Sequence, residues 1–255
     1  SRAGEIGFGC LQGERIAVYR GDMFSHNEPT GESYALKDLQ LETPCTPSKM
    51  FALWNNFHEA AKKLSLTIPQ TPLYFLKSAN SFCPSGATIC PPKSHSGRMI
   101  YEGELGIVIG KRGKDISMAD ASTHIFGYTC VNDVTALELL QSDPSFPQWT
   151  RAKNFDSFTP FGPVIATNLD PATLTVRTLV NGRERQNYPV SDMIFSPAQL
   201  VSLISQDVTL LPGDVISCGT SVGALPLRNG ATVDVIIEGI GTLSNRYGES
   251  LGASQ

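Results

Sequence analysis

The sequence lacks an excess of basic charge, a long apolar run and any closely spaced pair of cysteines. Among its 255 residues, 20 are Lys or Arg and 24 are Asp or Glu, so the net charge is −4. Proteins that hold nucleic acid or anionic lipid need a basic surface, so neither partner is expected. No apolar run approaches the roughly 18 residues of a membrane-spanning helix. The six scattered cysteines favour reduced thiols in a cytoplasmic protein.

Glycine and proline are frequent instead, with 23 and 17 residues, and they separate short β-branched segments. This pattern predicts a β-rich α+β fold with few helices. Residues 5–41 predict a small β meander, and the two prolines in residues 43–47 indicate a linker because they resist helix formation. We therefore expect a small N-terminal β domain over residues 1–45 and a main domain over residues 46–255.

Three local patterns predict the elements that matter for function. Residues 100–109 alternate and then become continuously apolar, as in a strand whose far half is buried. Residues 55–64 are good helix formers, and an asparagine is available to cap their start. FGYTCVNDV predicts a second apolar strand and TALELLQ a helix after it.

Three carboxylates stand at the ends of these apolar strands. Glu102 and Glu104 are two residues apart, so on a strand their side chains point to the same face. In such a pair both carboxylates are exposed, or one is protonated, or both bind a cation, and exposure is the commonest case. Asp133 ends the second strand, where it can cap the following helix or serve as a third oxygen ligand. The residues alone leave these alternatives open.

A lysine and a glycine-rich turn are the other candidates. Lys153, in TRAKNFDSFTPFGP, is either a surface residue or a group that polarises a carbonyl or moves a proton, provided that burial lowers its pKa. The turn Gly219-Thr220-Ser221-Val222-Gly223 offers N–H groups and hydroxyls to an anion, although most such turns are structural. The sequence has neither a nucleotide-binding glycine motif nor HExxH nor GxSxG.

Taken in order, these segments resemble the fumarylacetoacetate hydrolase superfamily. The matching stretches are TPSKM, PLYFLK, YEGELGIVIGKRGKDIS, FGYTCVNDVT, RAKNFDSFTPFGPVI, VNGRERQ, SDMIFSP and LLPGDVISCGTSVG. The resemblance implies a mixed β-roll catalytic domain, a homodimer, and a site for Mg²⁺ or Mn²⁺ formed by Glu102, Glu104 and Asp133. It also implies that Lys153 is the active-site lysine, that Thr220 with Gly219 receives a substrate carboxylate, and that Lys77 lines the pocket.

Two departures from the family pattern affect the predicted reaction. The family's His/Glu pair, which activates water, has no direct counterpart in NNFHEAAKKL, and His58 and Glu59 offer only a shifted pair. Adjacent residues on a helix do not share a face, so water activation is in doubt. Leu137 and Leu140 occupy the positions where the family often has an arginine and a glutamine. The pocket should therefore bind a distal carboxylate poorly, unless Arg151 replaces the arginine.

The resemblance implies a substrate that is a 2-oxo or β-diketo acid. We expect C–C bond cleavage, by hydrolysis or decarboxylation, through an enolate whose charge the metal compensates. The alternative is a keto–enol tautomerase or isomerase, which needs the metal and Lys153 but no activated water. A non-catalytic protein that binds an oxo acid is a third interpretation, although three buried carboxylates would be costly without a cation.

Overall fold

The computed structural model describes residue 1 and residues 4–249, and the chain divides into two compact units, Ser1–Glu42 and Thr43–Gln255. The first unit is a three-stranded antiparallel sheet in the order β1-β2-β3. Its strands are β1 (Phe8–Gln12), β2 (Arg15–Gly21) and β3 (Asn27–Ala35). It is the meander that the sequence predicts.

The second unit carries fourteen strands and four α-helices within the described residues. The strands are β4 (Met50–Trp54), β5 (Leu73–Lys77), β6 (Phe82–Cys83), β7 (Thr88–Ile89), β8 (Met99–Ile100), β9 (Gly103–Ile109), β10 (Ile125–Asn132), β11 (Thr135–Ala136), β12 (Thr159–Ala166), β13 (Thr175–Val180), β14 (Arg183–Pro189), β15 (Val215–Ser217), β16 (Thr232–Ile237) and β17 (Gly241–Tyr247). The helices are α1 (His58–Lys63), α2 (Leu137–Leu140), α3 (Trp149–Lys153) and α4 (Pro197–Asp207). None of the described helices is long and apolar enough to cross a membrane.

Two sheets form most of this unit. The larger is a seven-stranded mixed sheet in the order β5-β4-β15-β9-β10-β12-β6, in which β4 and β15 run parallel and β9 and β10 run antiparallel. The second has five strands in the order β14-β13-β16-β17-β7, and β11 and β8 form a separate two-stranded ladder. The prediction of a β-rich α+β fold built as a mixed β-roll is therefore confirmed.

Strand β9 lies inside the larger sheet, and this position explains why the sequence of the strand is apolar. Every one of its residues is buried. Leu105 and Ile107 belong to the main core together with Leu200 of α4 and Val235 of the five-stranded sheet. Because side chains alternate along a strand, Glu104 lies on the opposite face of the sheet. This alternation gives the strand one face for the core and one for chemistry.

Both predicted helices around the site are shorter than the sequence suggests. Helix α1 begins only at His58, and its N-cap position is Phe57, without a side-chain cap. Asn56 does not cap it, because its side chain donates to the Cys218 carbonyl and accepts from the Phe195 N–H. These buried backbone groups need partners more than an exposed helix end does. The TALELLQ segment likewise gives two residues to β11 before α2 begins.

Candidate metal centre and active site

The three carboxylates that the sequence singles out lie together. Glu102 directly precedes β9 and Glu104 is inside it, while Asp133 directly follows β10. The antiparallel register places Asn132 opposite Gly103, so Asp133 arrives beside the glutamate pair and its N–H donates to the Glu102 carbonyl at 2.9 Å. One oxygen from each carboxylate lies within 4.8 Å of the others, and all three residues are buried.

Hydrogen bonds fix the orientation of the two glutamates. Glu102 Oε1 accepts from the Thr135 hydroxyl at 2.8 Å. Glu104 Oε2 accepts from the Ser217 hydroxyl at 2.5 Å and from the Gly219 N–H at 2.9 Å. The other oxygen, Glu104 Oε1, is buried and has no hydrogen-bond partner in the described part of the chain, which costs free energy unless another group satisfies it.

The three carboxylates of the cluster are buried together, and a positive charge beside them would stabilise their ionised forms. Burial raises the pKa of Glu104 well above its usual range, and the neighbouring charges of Asp133 and Glu102 raise it further. Three buried oxygen ligands with one unpartnered oxygen match the all-oxygen coordination that Mg²⁺, Mn²⁺ and Ca²⁺ favour. The residues present therefore fit a hard divalent cation. The competing idea that Asp133 caps the next helix does not apply, because Ala136 occupies that N-cap position.

Lys153, at the end of α3, points into this cluster. Its Nζ donates to Glu102 Oε2 at 2.8 Å and to Asp133 Oδ2 at 2.5 Å, and the residue is only 3% exposed. Burial alone would lower the pKa of Lys153, but the charges of Asp133 and Glu102 outweigh burial and raise it. The role expected of Lys153 from the sequence depends on a lowered pKa, and the shift has the opposite direction. The contacts of Lys153 are those of an amino group paired with two carboxylates.

Lys77 reaches the same cluster from β5. Its Nζ donates to Asp133 Oδ1 at 2.6 Å, to the Phe158 carbonyl at 3.2 Å and to the Lys153 carbonyl. The side chain has no exposed area. Burial lowers the pKa of Lys77, and this effect outweighs the opposing influence of the Asp133 charge.

The glycine-rich turn after β15 is hydrogen-bonded to Gly103 and Glu104. The Thr220 hydroxyl donates to the Gly103 carbonyl at 3.0 Å and accepts from Gln186 Nε2 at 2.8 Å. The Gly219 N–H is committed to Glu104. The structure therefore places Thr220 and Gly219, two of the predicted substrate-binding residues, next to the carboxylates, where hydrogen bonds within the protein hold them.

Gln186 and Tyr188, on β14, are site residues that the sequence argument misses. Gln186 Oε1 accepts from the Gly103 N–H at 3.0 Å, and the Tyr188 hydroxyl donates to the Gly103 carbonyl at 2.5 Å. The N–H and the carbonyl of Gly103, the residue between the two glutamates, are thereby both hydrogen-bonded. The available signal was their spacing of two on a strand, since it places both side chains on one face.

The remaining predicted residues lie outside the cluster. His58 and Glu59 are exposed, and the Glu59 backbone N–H donates to Asp192 Oδ2. Arg151 is also exposed. In the part of the chain that the structure describes, none of these three side chains has a hydrogen bond or an ion pair with the carboxylates or with Lys153. The shifted His58/Glu59 pair and the Arg151 replacement thus find no support in this geometry.

Comparison with protein-family models shows what kind of protein carries this site. A model described as fumarylacetoacetate (FAA) hydrolase C-terminal matches residues 49–247. The chain belongs to the fumarylacetoacetate hydrolase family. A second model, described as Rv2993c-like, N-terminal, matches residues 1–44. The chain is thus an enzyme of this family.

Relatives within the family include several isomerases. Oxaloacetate tautomerase of Bacillus subtilis is 38% identical over 229 residues, which cover 84% of this chain and 75% of that protein. The crystal structure of 5-carboxymethyl-2-hydroxymuconate delta-isomerase from Mycobacterium smegmatis is 36% identical, with a TM-score of 0.90 over 98% of this chain and 97% of the other. Fumarylpyruvate hydrolase from Pseudomonas aeruginosa, solved with Mn²⁺ and pyruvate, is 28% identical, with a TM-score of 0.74 over 80% of this chain and 91% of the other.

Proposed function

We propose that this enzyme interconverts the keto and enol forms of a 2-oxo acid, with a divalent metal held by Glu102, Glu104 and Asp133. The observation that carries the proposal is a buried carboxylate cluster to which Lys153 donates two hydrogen bonds, with no His/Glu pair in contact with it among the described residues. Relatives named as a tautomerase and a delta-isomerase support this reaction class.

The three carboxylates would hold Mg²⁺ or Mn²⁺ through oxygens alone. When bound, such an ion supplies Lewis-acid polarisation of the 2-oxo group and compensates the negative charge of an enolate. Glu104 contributes Oε1, which accepts no hydrogen bond from the described residues. Thr135 and Ser217 keep the two glutamates in place through their hydroxyl groups.

Lys153 provides the proton for the reaction. In the direction of ketonisation, its ammonium group donates a proton to the nucleophilic carbon of the enol, the enol O–H proton leaves to solvent, and solvent then reprotonates the amine. In the reverse direction the ammonium first releases a proton to solvent, the neutral amine takes the proton from carbon, and the oxygen is protonated from solvent. General acid catalysis of this kind requires only one positioned donor. It needs no water nucleophile, so the exposed positions of His58 and Glu59 do not matter for it.

C–C bond cleavage, our first interpretation of the sequence, becomes the second candidate. The fumarylpyruvate hydrolase neighbour, with its Mn²⁺ and pyruvate, supports it. Hydrolysis of a carbon–carbon bond needs an activated water, however, and no acid–base pair contacts the cluster within the described residues other than its own carboxylates and lysines. Decarboxylation needs no such water and remains part of this second candidate.

A substrate panel with matched variants tests the proposal. Enolic oxaloacetate, enolic dienoates and acylpyruvates are assayed with Mg²⁺, with Mn²⁺ and with EDTA. We expect loss of enol absorbance without release of CO₂ or of two acids, and we expect EDTA to stop it. Glu104→Gln should abolish turnover and metal binding together, whereas Glu238→Gln, the same change at an exposed glutamate, should leave both intact. Full turnover in the Glu104→Gln variant would refute the proposal.

Two further measurements address the remaining expectations. Lys153→Met should lower turnover and leave metal binding measurable by calorimetry, and loss of the metal in this variant would make the role of Lys153 structural. The homodimer that the family resemblance implies is checked by light scattering coupled to size-exclusion chromatography. Metal binding without turnover of any substrate in the panel would favour the non-catalytic binder.

A further inference from the structure

Lys77 has no hydrogen-bond donor left for a substrate. A lysine amino group has at most three N–H donors, the number in its ammonium form. All three are directed at acceptors inside the protein, namely Asp133 Oδ1, the Lys153 carbonyl and the Phe158 carbonyl. The Lys77 side chain is also fully enclosed. A substrate carboxylate could reach it only after at least one of these bonds is broken.

The three acceptors belong to three different segments of the site. Asp133 follows β10, the Lys153 carbonyl ends α3, and Phe158 directly precedes β12. Lys77 therefore connects the edge strand β5 to a cluster carboxylate and to both sides of the loop that leaves α3. Because α3 has only five residues, it depends on such contacts for its position.

Other residues of β5 hold the same helix. Phe75 is two residues before Lys77, so it lies on the same face of the strand. Its ring stacks on Trp149, the first residue of α3, with centroids 4.9 Å apart and an interplanar angle of 25°. The Lys153 Nζ lies 5.2 Å from the centroid of the Phe75 ring. Asn154 Nδ2 donates to the Leu76 carbonyl at 3.2 Å.

We propose that Lys77 is a positioning residue, which fixes Asp133 and the C-terminal end of α3 so that the Lys153 ammonium reaches the carboxylates. It does not contact the substrate, in contrast to the pocket-lining role that the family resemblance implies. The inference rests on the proposed function for its kinetic readout. A structural readout is included so that the two can fail separately.

A kinetic double-mutant cycle at saturating Mg²⁺ tests this role. The variants are Lys77→Met, Lys153→Met and the double variant, with Lys111→Met as a control at an exposed lysine. Because a small misplacement of a catalytic group is costly, we expect Lys77→Met to lower kcat by about 10- to 100-fold. KM and the inhibition constant of oxalate, a metal-chelating dianion, should change by less than about threefold. The reason is that the substitution leaves intact the contacts that bind substrate and transition state equally. In the Lys153→Met background, Lys77→Met should lower kcat by less than about threefold, since the effects of substituting residues that act as a unit are not additive.

The opposite pattern would overturn the proposal. A tenfold or greater loss of oxalate affinity with nearly unchanged kcat would show that Lys77 contacts the substrate, and losses that multiply in the double variant would show that Lys77 acts independently of Lys153. A Lys77→Arg variant with full kcat would show that only charge is needed, since a planar guanidinium cannot reproduce three convergent ammonium bonds. If Lys77→Met does not fold, Lys77→Gln, which keeps two donors, takes its place in the cycle.

Hydrogen exchange supplies the readout that is independent of any substrate. In Lys77→Met we expect faster amide exchange in residues 149–158, while the rest of the unit and the Lys111→Met control remain unchanged. Unchanged exchange in this segment would overturn the positioning role even if the enzyme is active. Wild-type protein that turns over no substrate would refute the proposed function, and the exchange result would still decide the role of Lys77.

Discussion

Substituting Gly103 with alanine tests whether the packing between the sheets holds the two glutamates in place. Gly103 lies between Glu102 and Glu104, and it faces strand β13 of the second sheet. A Cβ added to it would lie 2.1 Å from Thr178 Oγ1 and 3.3 Å from Val235 Cγ2. The first distance is far shorter than any van der Waals contact, so the Thr178 side chain or one of the strands β9 and β13 must shift. Gly103 has no positive φ, so the cost is steric and not conformational.

The magnitude follows from overpacking of a buried position. One methyl group forced into a filled interior typically costs about 1–3 kcal/mol in the free energy of unfolding. For a protein of this size that corresponds to a Tm lower by about 2–12 °C. Because the displaced residue lies between two ligands, we also expect Mg²⁺ affinity to fall by about 10- to 100-fold, as for other changes in groups that orient ligands.

Compensating substitutions at Thr178 make the test specific. Thr178 is fully buried and its hydroxyl has no hydrogen-bond partner. Thr178→Ala removes the group that collides, so it should restore most of the stability and metal affinity to Gly103→Ala. Thr178→Val keeps the same shape and should restore neither. Urea unfolding and calorimetric Mg²⁺ titration measure both quantities. A Gly103→Ala protein as stable as the wild type, or equal rescue by alanine and valine, would refute the reasoning.

Three further substitutions probe the surroundings of the site and one distant element. Gln186→Leu leaves the Gly103 N–H buried without a partner, so urea unfolding should show a loss of about 1–3 kcal/mol; an unchanged free energy of unfolding would contradict that hydrogen bond. Ser217→Ala removes a donor to Glu104 and should weaken Mg²⁺ binding at least about tenfold by calorimetry, and unchanged affinity would show that Glu104 is oriented without it. Ser196→Ala removes the capping box of α4 and should cost about 1 kcal/mol in unfolding free energy without altering Mg²⁺ affinity, whereas a change in affinity would mean that α4 reaches the site.

Local patterns predicted the elements that surround the site. The alternation and the apolar run of residues 100–109 predicted a buried strand, and β9 occupies most of that range. The Asn181-Gly182 dipeptide is typical of a tight hairpin turn, and both residues have positive φ between β13 and β14. Such features depend on neighbouring residues only, so a short stretch of sequence is enough to specify them.

Helix lengths were predicted less well, because distant groups decided them. Residues 55–64 have helix-forming side chains, yet α1 has only six residues. Asn56 is held by backbone groups of Cys218 and Phe195, more than 100 residues away. A buried carbonyl or N–H without a partner costs more than a helix turn gains, so the long-range bond prevails over local propensity.

By itself, the sequence determined the chemistry that is possible: three carboxylates at strand ends, a lysine after an aromatic segment, and a β-rich chain that can bury them. Only the tertiary structure decided that Asp133 joins the glutamates, because the register of β10 on β9 sets which residues are opposite each other. It also decided that the Lys77 amino group points inward to Asp133 and that the neighbouring carboxylates raise the pKa of Lys153. Charge, burial and hydrogen bonding at a site depend on groups that meet only when the chain folds, and no local pattern records them.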